Sequence, residues 1–273
     1  MSTQTTARQP RLREASDAPA WSATGEGTPL LLIAGIGLDG NSWWRSIPGF
    51  AERFRVITFD YRGVGRSGPA PLFCSTDDLA DDAAAVLDEA GVERGLVYGF
   101  SLGGMVAQRL ALRHPDRVSA LVLGATQAGG PHTVQPAAET LAYLWRGRFL
   151  SRAAAAEAAI PHVYGERCRR ETPERIAADI EQRRQRRLDP QAYRGHVAAA
   201  MMHDTHRSLH AIDSPTMVVH GESDRLIPKA NGELIAREIP DARLHLVPYA
   251  GHYYSPDEPS VDGVIAGFFA ECG

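Results

Sequence analysis

Long apolar runs that end in glycines recur along the chain. The stretch "TPLLLIAGIG" (28–37) is apolar without alternation, which is typical of a strand buried on both faces. Three more segments before residue 130 are also typical of strands, at 53–68 (a strand followed by a glycine-rich loop), 96–100 and 117–126. Each of these segments predicts a central strand of a sheet.

A helix is predicted between the second and third of these strands. In "STDDLADDAAAVLDEAGV", Ser75 and Asp78 match a capping box, Leu79 and Ala83 share one face, and Gly91 supplies the stop. The segment after residue 101 has the same helical character. Strands that alternate with helices in this way predict a parallel sheet with crossover helices.

The pattern changes after Gly129. Residues 131–212 contain no convincing strand but much helix-forming sequence, and the strand pattern resumes at 214–221 and 242–248, each followed by a helix. We therefore expect a single α/β domain with a mostly parallel, doubly wound sheet. Its predicted parts are a polar N-terminal arm (1–21), a core (22–130 and 213–273) and a helical cap inserted between the two core segments (131–212).

Composition excludes several classes of protein. The 273 residues are 44% hydrophobic and 23% charged, which is the profile of a soluble globular protein. A net charge of −4 offers no broad basic field for nucleic acid or anionic lipid. The three cysteines are far apart and form no CxxC pair, the N-terminal segment has no apolar core of a secretion signal, and no apolar run is long enough to span a membrane. We expect a cytoplasmic protein.

One serine lies in a predicted turn with a glycine on either side. "LVYGFSLGGMVAQRL" runs from a strand into a helix, and Gly99-Phe100-Ser101-Leu102-Gly103 matches G-x-S-x-G in the context that this motif requires. There the turn lifts the serine Oγ clear of the sheet, with the positive helix N-terminus aimed at the same point. The motif alone leaves two interpretations open, an activated nucleophile or a plain helix N-cap.

A nucleophilic serine needs a base and an orienting carboxylate. His252 follows the last predicted strand in "VPYAGHYYSPDEP", and Asp224 follows the preceding strand in "MVVHGESDRLIP", with Glu222 as a nearby competitor. These positions lie at the carboxyl edge of the sheet, where α/β proteins place their sites. The chain order Ser101, Asp224, His252 is the order expected of a triad on this architecture, which favours the nucleophile over the N-cap.

Two backbone amides are candidates for an oxyanion hole. Leu102 follows the nucleophile, and Ile36 lies between two glycines in the loop after the first predicted strand. Glycines on either side of Ile36 allow the backbone to approach a substrate closely.

These motifs resemble the α/β-hydrolase superfamily from about residue 22 onward. The matching pieces are "AGIG", "FDYRGVGRSG", "GFSLGGMVAQRLALRHPDRV", "PTMVVHGESDRLIP" and "AGHYYSPDEP". Within it, the chain is most similar to 3-oxoadipate enol-lactonases and to non-haem haloperoxidase-like carboxylesterases with a helical cap. The resemblance implies a Ser101–His252–Asp224 triad, with the Ile36 and Leu102 amides as the oxyanion hole. One departure is Ala34-Gly35, where many relatives carry His-Gly, which affects loop detail more than mechanism.

The function expected on these grounds is hydrolysis of a small-molecule carboxylic ester or lactone through an acyl-enzyme on Ser101, without cofactor or metal. A C–C hydrolase of vinylogous diketones, recognisable by an arginine-bearing pocket, uses the same triad. An acyl-transfer or cyclisation enzyme and a non-catalytic ligand-binding protein are the further alternatives.

Three further groups of residues were considered for metal binding, nucleic-acid binding and substrate contact. His203, His206 and His210 have helical spacing but no evident fourth metal ligand. The arginine-rich run at 166–189 is interleaved with carboxylates and predicts a solvated helix rather than a nucleic-acid surface. Trp145 in the cap and Tyr253 beside the histidine are the candidate substrate contacts.

Overall fold

Seven strands form one sheet in the computed structural model, which describes residues 18–71, 73–147, 149–184 and 186–272. The sheet order is β1-β3-β2-β4-β5-β6-β7, and every neighbouring pair is parallel except β1 with β3. The strands are β1 (Trp21–Thr24), β2 (Thr28–Ile33), β3 (Phe54–Phe59), β4 (Gly95–Phe100), β5 (Val118–Gly124), β6 (Thr216–Gly221) and β7 (Arg243–Val247). This architecture confirms the predicted fold class.

Helices cover both faces of the sheet. One face carries an apolar cluster with Leu79, Leu110 and Ile235, and the other carries a cluster with Phe50 and Phe269. The helices that provide these residues are α1 (Ile47–Ala51), α2 (Thr76–Glu89), α3 (Leu102–Arg113), α9 (Ala230–Glu238) and α11 (Val261–Cys272). Because β4 is buried along its whole length, its sequence is a continuous apolar run rather than an alternating one.

The capping box of α2 is confirmed. The Ser75 side chain accepts a hydrogen bond from the Asp78 backbone N–H, and the Asp78 carboxylate accepts one from the Ser75 N–H at 2.7 Å. Two of the backbone donors at the start of the helix are thereby satisfied, and α2 begins at the predicted residue.

Strand β1 is an element that the sequence did not predict. Trp21 to Thr24 pair antiparallel with β3 at the edge of the sheet. The strand is short and partly polar, and it pairs on one side only, so it lacks the apolar run that marks the central strands. The remaining predicted arm, residues 1–17, lies outside the described residues.

The chain between β5 and β6 is helical. Two of its described residues, Gly129 and Asp204, form an isolated β-bridge. A small apolar cluster of Val163, Tyr164 and Ile176 packs against Tyr253. The helices are α4 (Ala138–Gly147), α5 (Arg152–Val163), α6 (Glu166–Glu171), α7 (Pro173–Arg184) and α8 (Pro190–Met202), and a short helix, α10 (Tyr254–Asp257), follows β7. The division into core and cap at 131 and 212 stays a prediction.

Candidate active site

Ser101 occupies a strained turn between β4 and α3. Its φ of 57° and ψ of −116° are rarely adopted by a residue with a side chain, and such strain persists only where the surroundings impose it. The Ser101 N–H donates to the Gly124 carbonyl at 2.8 Å, and the Ser101 carbonyl accepts from Thr126 Oγ1 at 2.8 Å. Although Ser101 stands at the N-cap position of α3, its side chain makes no capping hydrogen bond. The hydroxyl is therefore directed elsewhere.

The glycines around Ser101 allow α3 to pack directly against the sheet. A Cβ on Gly99 would lie 2.7 Å from Ala107 Cβ and would overlap the Gly103 carbonyl. A Cβ on Gly103 would overlap the Ile33 carbonyl at the end of β2. A side chain at either position would separate strand and helix, and the turn that carries Ser101 would open.

His252, in the loop after β7, connects the serine with a carboxylate. Its Nδ1 lies 2.8 Å from Asp224 Oδ2, and its Nε2 lies 3.1 Å from Ser101 Oγ. An ionised carboxylate can only accept, so Nδ1–H donates to Asp224 and Nε2 is left to accept from the serine hydroxyl. The imidazole is 2% exposed, which shields both hydrogen bonds from competing water.

Asp224 is fixed by the loop after β6. Its Oδ1 accepts the backbone N–H groups of Leu226 and Ile227 at 2.9 and 2.8 Å, and its side chain is fully buried. Burial raises the pKa of Asp224, but the charge of His252 and the hydrogen bonds from His220 and His252 outweigh burial and lower the pKa to about 2. Asp224 is thus ionised at neutral pH, whereas the competitor Glu222 is exposed and its backbone N–H donates to the Val247 carbonyl at the end of β7.

A second histidine, which was not predicted from the sequence, contacts the same carboxylate. His220, fully buried at the end of β6, donates from Nε2 to the Ile227 carbonyl at 2.8 Å, and the same nitrogen lies 3.3 Å from Asp224 Oδ2. Its Nδ1 faces the backbone of Gly232, where a Cβ would lie 2.5 Å from the ring nitrogen. The only sequence clue was a histidine at the end of an otherwise apolar strand.

The two candidate oxyanion donors belong to the first turn of α3 and to the loop after β2. Leu102 is the first residue of α3, so its N–H has no carbonyl partner within the helix. The loop that carries Ile36 lies next to the nucleophile, since a Cβ on Gly35 would be 3.4 Å from Ser101 Cβ. The following residue, Gly37, has a φ of 63°, a conformation that favours glycine.

A cavity of about 70 Å³ adjoins this site. Gly35, Phe100 and Tyr253 line it, together with the arginines Arg45, Arg183 and Arg186 and the carboxylate of Asp179. The aromatic rings of Phe100 and His252 are 5.1 Å apart, which places the cavity next to the imidazole.

Charged groups of the cavity belong to a network. The Arg183 guanidinium lies 4.1 Å above the Tyr253 ring, and Arg45 donates to Asp179 at 2.9 Å. Arg186 is 8% exposed, with its Nε 3.2 Å from Asp39 Oδ1. The cavity therefore combines aromatic walls with three arginines, two of which are paired with carboxylates.

Trp145, the other expected substrate contact, does not lie in this cavity. It is 60% exposed and packs edge-on against Phe149, with their ring centroids 5.3 Å apart. Helix α4 buries Thr140 and stacks Tyr143 on His162, and Trp145 projects from a different side of the helix. Aromatic character alone did not reveal that this side chain is exposed.

The described part of the chain contains no group of three or more histidine, cysteine, aspartate or glutamate side chains arranged to hold a metal ion. His203, one of the spaced histidines, is buried with Nδ1 3.1 Å from Thr76 Oγ1 and Nε2 3.2 Å from Thr205 Oγ1. Over the same described residues, every helix is too short or too polar to cross a bilayer.

Comparison with known proteins assigns the family. A family model described as the alpha/beta hydrolase fold matches residues 28–259. The chain is 31% identical to a putative carbamate hydrolase RutD of Azorhizobium caulinodans, over 90% of this chain and 93% of that protein. It is also 31% identical to a 2-hydroxymuconate semialdehyde hydrolase of Pseudomonas sp. (strain CF600), over 90% and 88%. A solved esterase from Thermogutta terrifontis superimposes with a TM-score of 0.80 at 28% identity, over 93% of each chain. The chain belongs to the α/β-hydrolase family.

Proposed function

We propose that this protein is a serine hydrolase that cleaves a carboxylic ester or lactone of a small molecule through an acyl-enzyme on Ser101. The observation that carries the proposal is the continuous hydrogen-bonded chain from Asp224 through His252 to the strained serine. The similarity to a solved esterase supports it. Neither a metal nor an organic cofactor takes part in the proposed chemistry.

The first half-reaction transfers the acyl group to the serine. His252 Nε2 removes the proton of Ser101 Oγ as the oxygen attacks the ester carbonyl, and the resulting oxyanion is stabilised by the Ile36 and Leu102 amides. Asp224 stabilises the imidazolium through the Nδ1 hydrogen bond. The imidazolium then protonates the leaving alkoxide, so the C–O bond breaks and the alcohol departs.

The second half-reaction restores the enzyme. His252 removes a proton from water, the hydroxide attacks the acyl carbonyl in the same oxyanion hole, and Ser101 Oγ leaves with the proton returned by the imidazolium. The net reaction consumes one ester and one water and releases an acid and an alcohol. Residues 131–212, the proposed cap, set the choice of acyl group and limit the access of bulk water.

The proposal is tested with p-nitrophenyl butyrate and with a fluorophosphonate probe. We expect turnover by the wild type, loss of turnover in Ser101→Ala, and a covalent adduct that mass spectrometry locates on Ser101. Ser119→Ala is the matched control, because Ser119 lies near the start of β5 and its hydroxyl has no hydrogen-bond partner in the described structure. Turnover that survives in Ser101→Ala contradicts the proposal, and an absence of labelling favours a non-catalytic protein.

A second candidate is a C–C hydrolase of a carboxylate-bearing vinylogous diketone. Arg45, Arg183 and Arg186 in the cavity favour it, because a guanidinium pairs with a carboxylate in bidentate geometry. The diagnostic experiment compares kcat/KM for such a diketone with kcat/KM for p-nitrophenyl butyrate. In Arg183→Gln, a selective loss of diketone turnover supports this candidate, whereas an equal loss on both substrates argues against it.

A further inference from the structure

One carboxylate outside the triad holds the loop of the catalytic histidine. Asp257 is the last residue of α10, and its Oδ2 accepts the Gly251 N–H at 2.6 Å and the Gly165 N–H at 2.7 Å. Gly251 directly precedes His252, and Gly165 directly precedes α6 in the predicted cap. A single oxygen atom thus joins the histidine loop to the segment 163–165.

The other side of His252 is attached to the same segment. The Tyr253 N–H donates to the Val163 carbonyl at 2.8 Å, so both neighbours of the histidine are connected to residues 163–165. The two backbones touch as well. A Cβ on Gly251 would lie 2.8 Å from the Gly165 nitrogen, and a Cβ on Gly165 would overlap the Tyr249 carbonyl.

The environment of Asp257 opposes its charge. Burial raises the pKa of Asp257, and the Gly251 and Gly165 amides, with Cys168 and Arg169, oppose this effect only in part. Its other oxygen, Oδ1, is buried with no hydrogen-bond partner in the described structure. Burial of this carboxylate is unfavourable, and its presence here is best explained by the two backbone N–H groups that it accepts.

We infer that Asp257 is a positioning residue: by holding Gly251 and Gly165 on one oxygen, it sets the place of His252 relative to Ser101 and couples that place to the segment 163–165. This inference rests on the proposed function, because it assumes that His252 is the base. Asp257 is not among the described residues that line the cavity, so its effect reaches the substrate only through the loop.

Replacement of Asp257 is expected to lower kcat more than it raises KM. A displacement of about 1 Å in a catalytic geometry can cost about 100-fold in rate. We expect Asp257→Ala to lower kcat for p-nitrophenyl butyrate by at least about 10-fold, with KM changed less than about 3-fold. Asp257→Asn retains an oxygen that can accept both amides, and we expect it to keep kcat within about 3-fold of the wild type.

The matched control is Asp262→Asn. Asp262 is also a partly buried carboxylate whose pKa is raised by burial, but its hydrogen-bond partners are Ser46 and Ser255 rather than the histidine loop. We expect its kcat to be unchanged. Circular dichroism confirms that each variant is folded at the assay temperature, well below its Tm.

Proton NMR gives a readout that a purely structural role would not change. The Nδ1 proton of His252 in its hydrogen bond to Asp224 resonates at strongly low field, separate from the amide signals. We expect this resonance in the wild type, in Asp257→Asn and in Asp262→Asn, and we expect it to broaden or vanish in folded Asp257→Ala.

The coupling to segment 163–165 is tested by a double-mutant cycle. Gly165→Ala introduces a Cβ that would overlap the Tyr249 carbonyl and approach Asp257 Oδ2 to 2.9 Å, without altering the carboxylate itself. If both substitutions act on one contact, kcat of the double variant is no lower than kcat of the less active single variant, and the two energies are not additive. Gly165→Ala also carries the test should Asp257→Ala fail to fold.

Three results would overturn the inference: wild-type kcat and NMR signal in folded Asp257→Ala, a loss in Asp257→Asn as large as in Asp257→Ala, or independent multiplicative effects in the cycle. Failure of the proposed function is distinguishable, because it appears as turnover that does not depend on Ser101, or as a wild type that neither turns over the ester nor is labelled by the fluorophosphonate.

Discussion

The strain at Ser101 predicts an inverted order of stability for two inactive variants. Ser101→Ala and Ser101→Gly both remove the hydroxyl and its 3.1 Å contact with His252, so that contribution cancels in their comparison. They differ because glycine adopts a φ of 57° with a ψ of −116° freely, whereas alanine retains the Cβ that makes the turn unfavourable. We expect the glycine variant to be the more stable one.

The magnitude follows from two opposing contributions. A residue held in a sparsely populated backbone conformation costs about 1–3 kcal/mol, which glycine relieves. Glycine also increases the entropy of the unfolded chain, which costs about 0.4–1 kcal/mol relative to alanine. The net difference in the free energy of unfolding is about 1 kcal/mol in favour of Ser101→Gly, equivalent to about 2–4 °C in Tm for a chain of this size.

The assay is urea unfolding followed by circular dichroism, with thermal unfolding as a second measure. Ser46 provides the control position, since it is buried but has an ordinary helical φ of −86°. There we expect Ser46→Ala to be more stable than Ser46→Gly by about 0.5–1 kcal/mol. If alanine is the more stable residue at both positions, the turn at Ser101 stores no strain and the reasoning is refuted.

Three further substitutions probe the site and its support. Asp224→Asn should lower kcat by about 10⁴-fold, because an amide stabilises the wrong tautomer of His252. The folded-state pKa of Asp224 is lowered to about 2, so the ionised side chain contributes stability, of order 2 kcal/mol, that is present above about pH 4 and is lost as the pH falls toward 2. Acid unfolding of the wild type should therefore be steeper than that of the variant. His220→Ala should cost about 2–4 kcal/mol in urea unfolding and about 10-fold in kcat/KM, because it leaves a cavity and an unpaired Ile227 carbonyl beside the carboxylate. Gly103→Ala should destabilise the fold by about 3 kcal/mol or more in thermal unfolding, whereas Gly49→Ala, whose Cβ would meet nothing within 4 Å, should not; equal Tm values for these two variants contradict the proposed packing of α3.

Much of the sheet could be predicted because its central strands are buried on both faces. β2, β4, β5 and β6 each coincide with an apolar run in the sequence. The candidate triad could be located for a related reason. Polar residues in the loops that follow parallel strands lie at the carboxyl edge of the sheet: Ser101 directly follows β4, and Asp224 and His252 lie in the loops after β6 and β7.

The helices between β5 and β6 were less predictable, because the positions at which they begin and end depend on local hydrogen bonds. The run from Ala137 to Ile160 has one continuous helical composition, yet α4 ends at Gly147 and α5 begins after Ser151, whose hydroxyl accepts the Ala154 N–H. Helices α6 and α8 were not individually expected. Propensity is weak evidence for a boundary when a single cap decides it.

The residues that support the site, His220 and Asp257, could not be predicted from the sequence for a different reason. His220 contacts the Ile227 carbonyl, and Asp257 contacts the Gly165 amide, which is distant in the chain. No spacing of residues in the sequence indicates either contact. Trp145 is the converse case. Its residue type suited a substrate pocket, but the helix that carries it turns that side chain toward solvent.

The placement of the three site residues after β4, β6 and β7 has a consequence for folding. The hydrogen bonds that join them close sequence separations of 151 and 28 residues, and β6 must enter the sheet between β5 and β7 before the second of these can form. Contacts of such separation form late, because chain entropy must be lost before they contribute. The complete triad therefore requires both hydrogen bonds and all of these strands in place. During refolding it can exist only once the sheet is complete from its centre to its β7 edge, and the recovery of a reactive serine marks the end of folding rather than any intermediate stage.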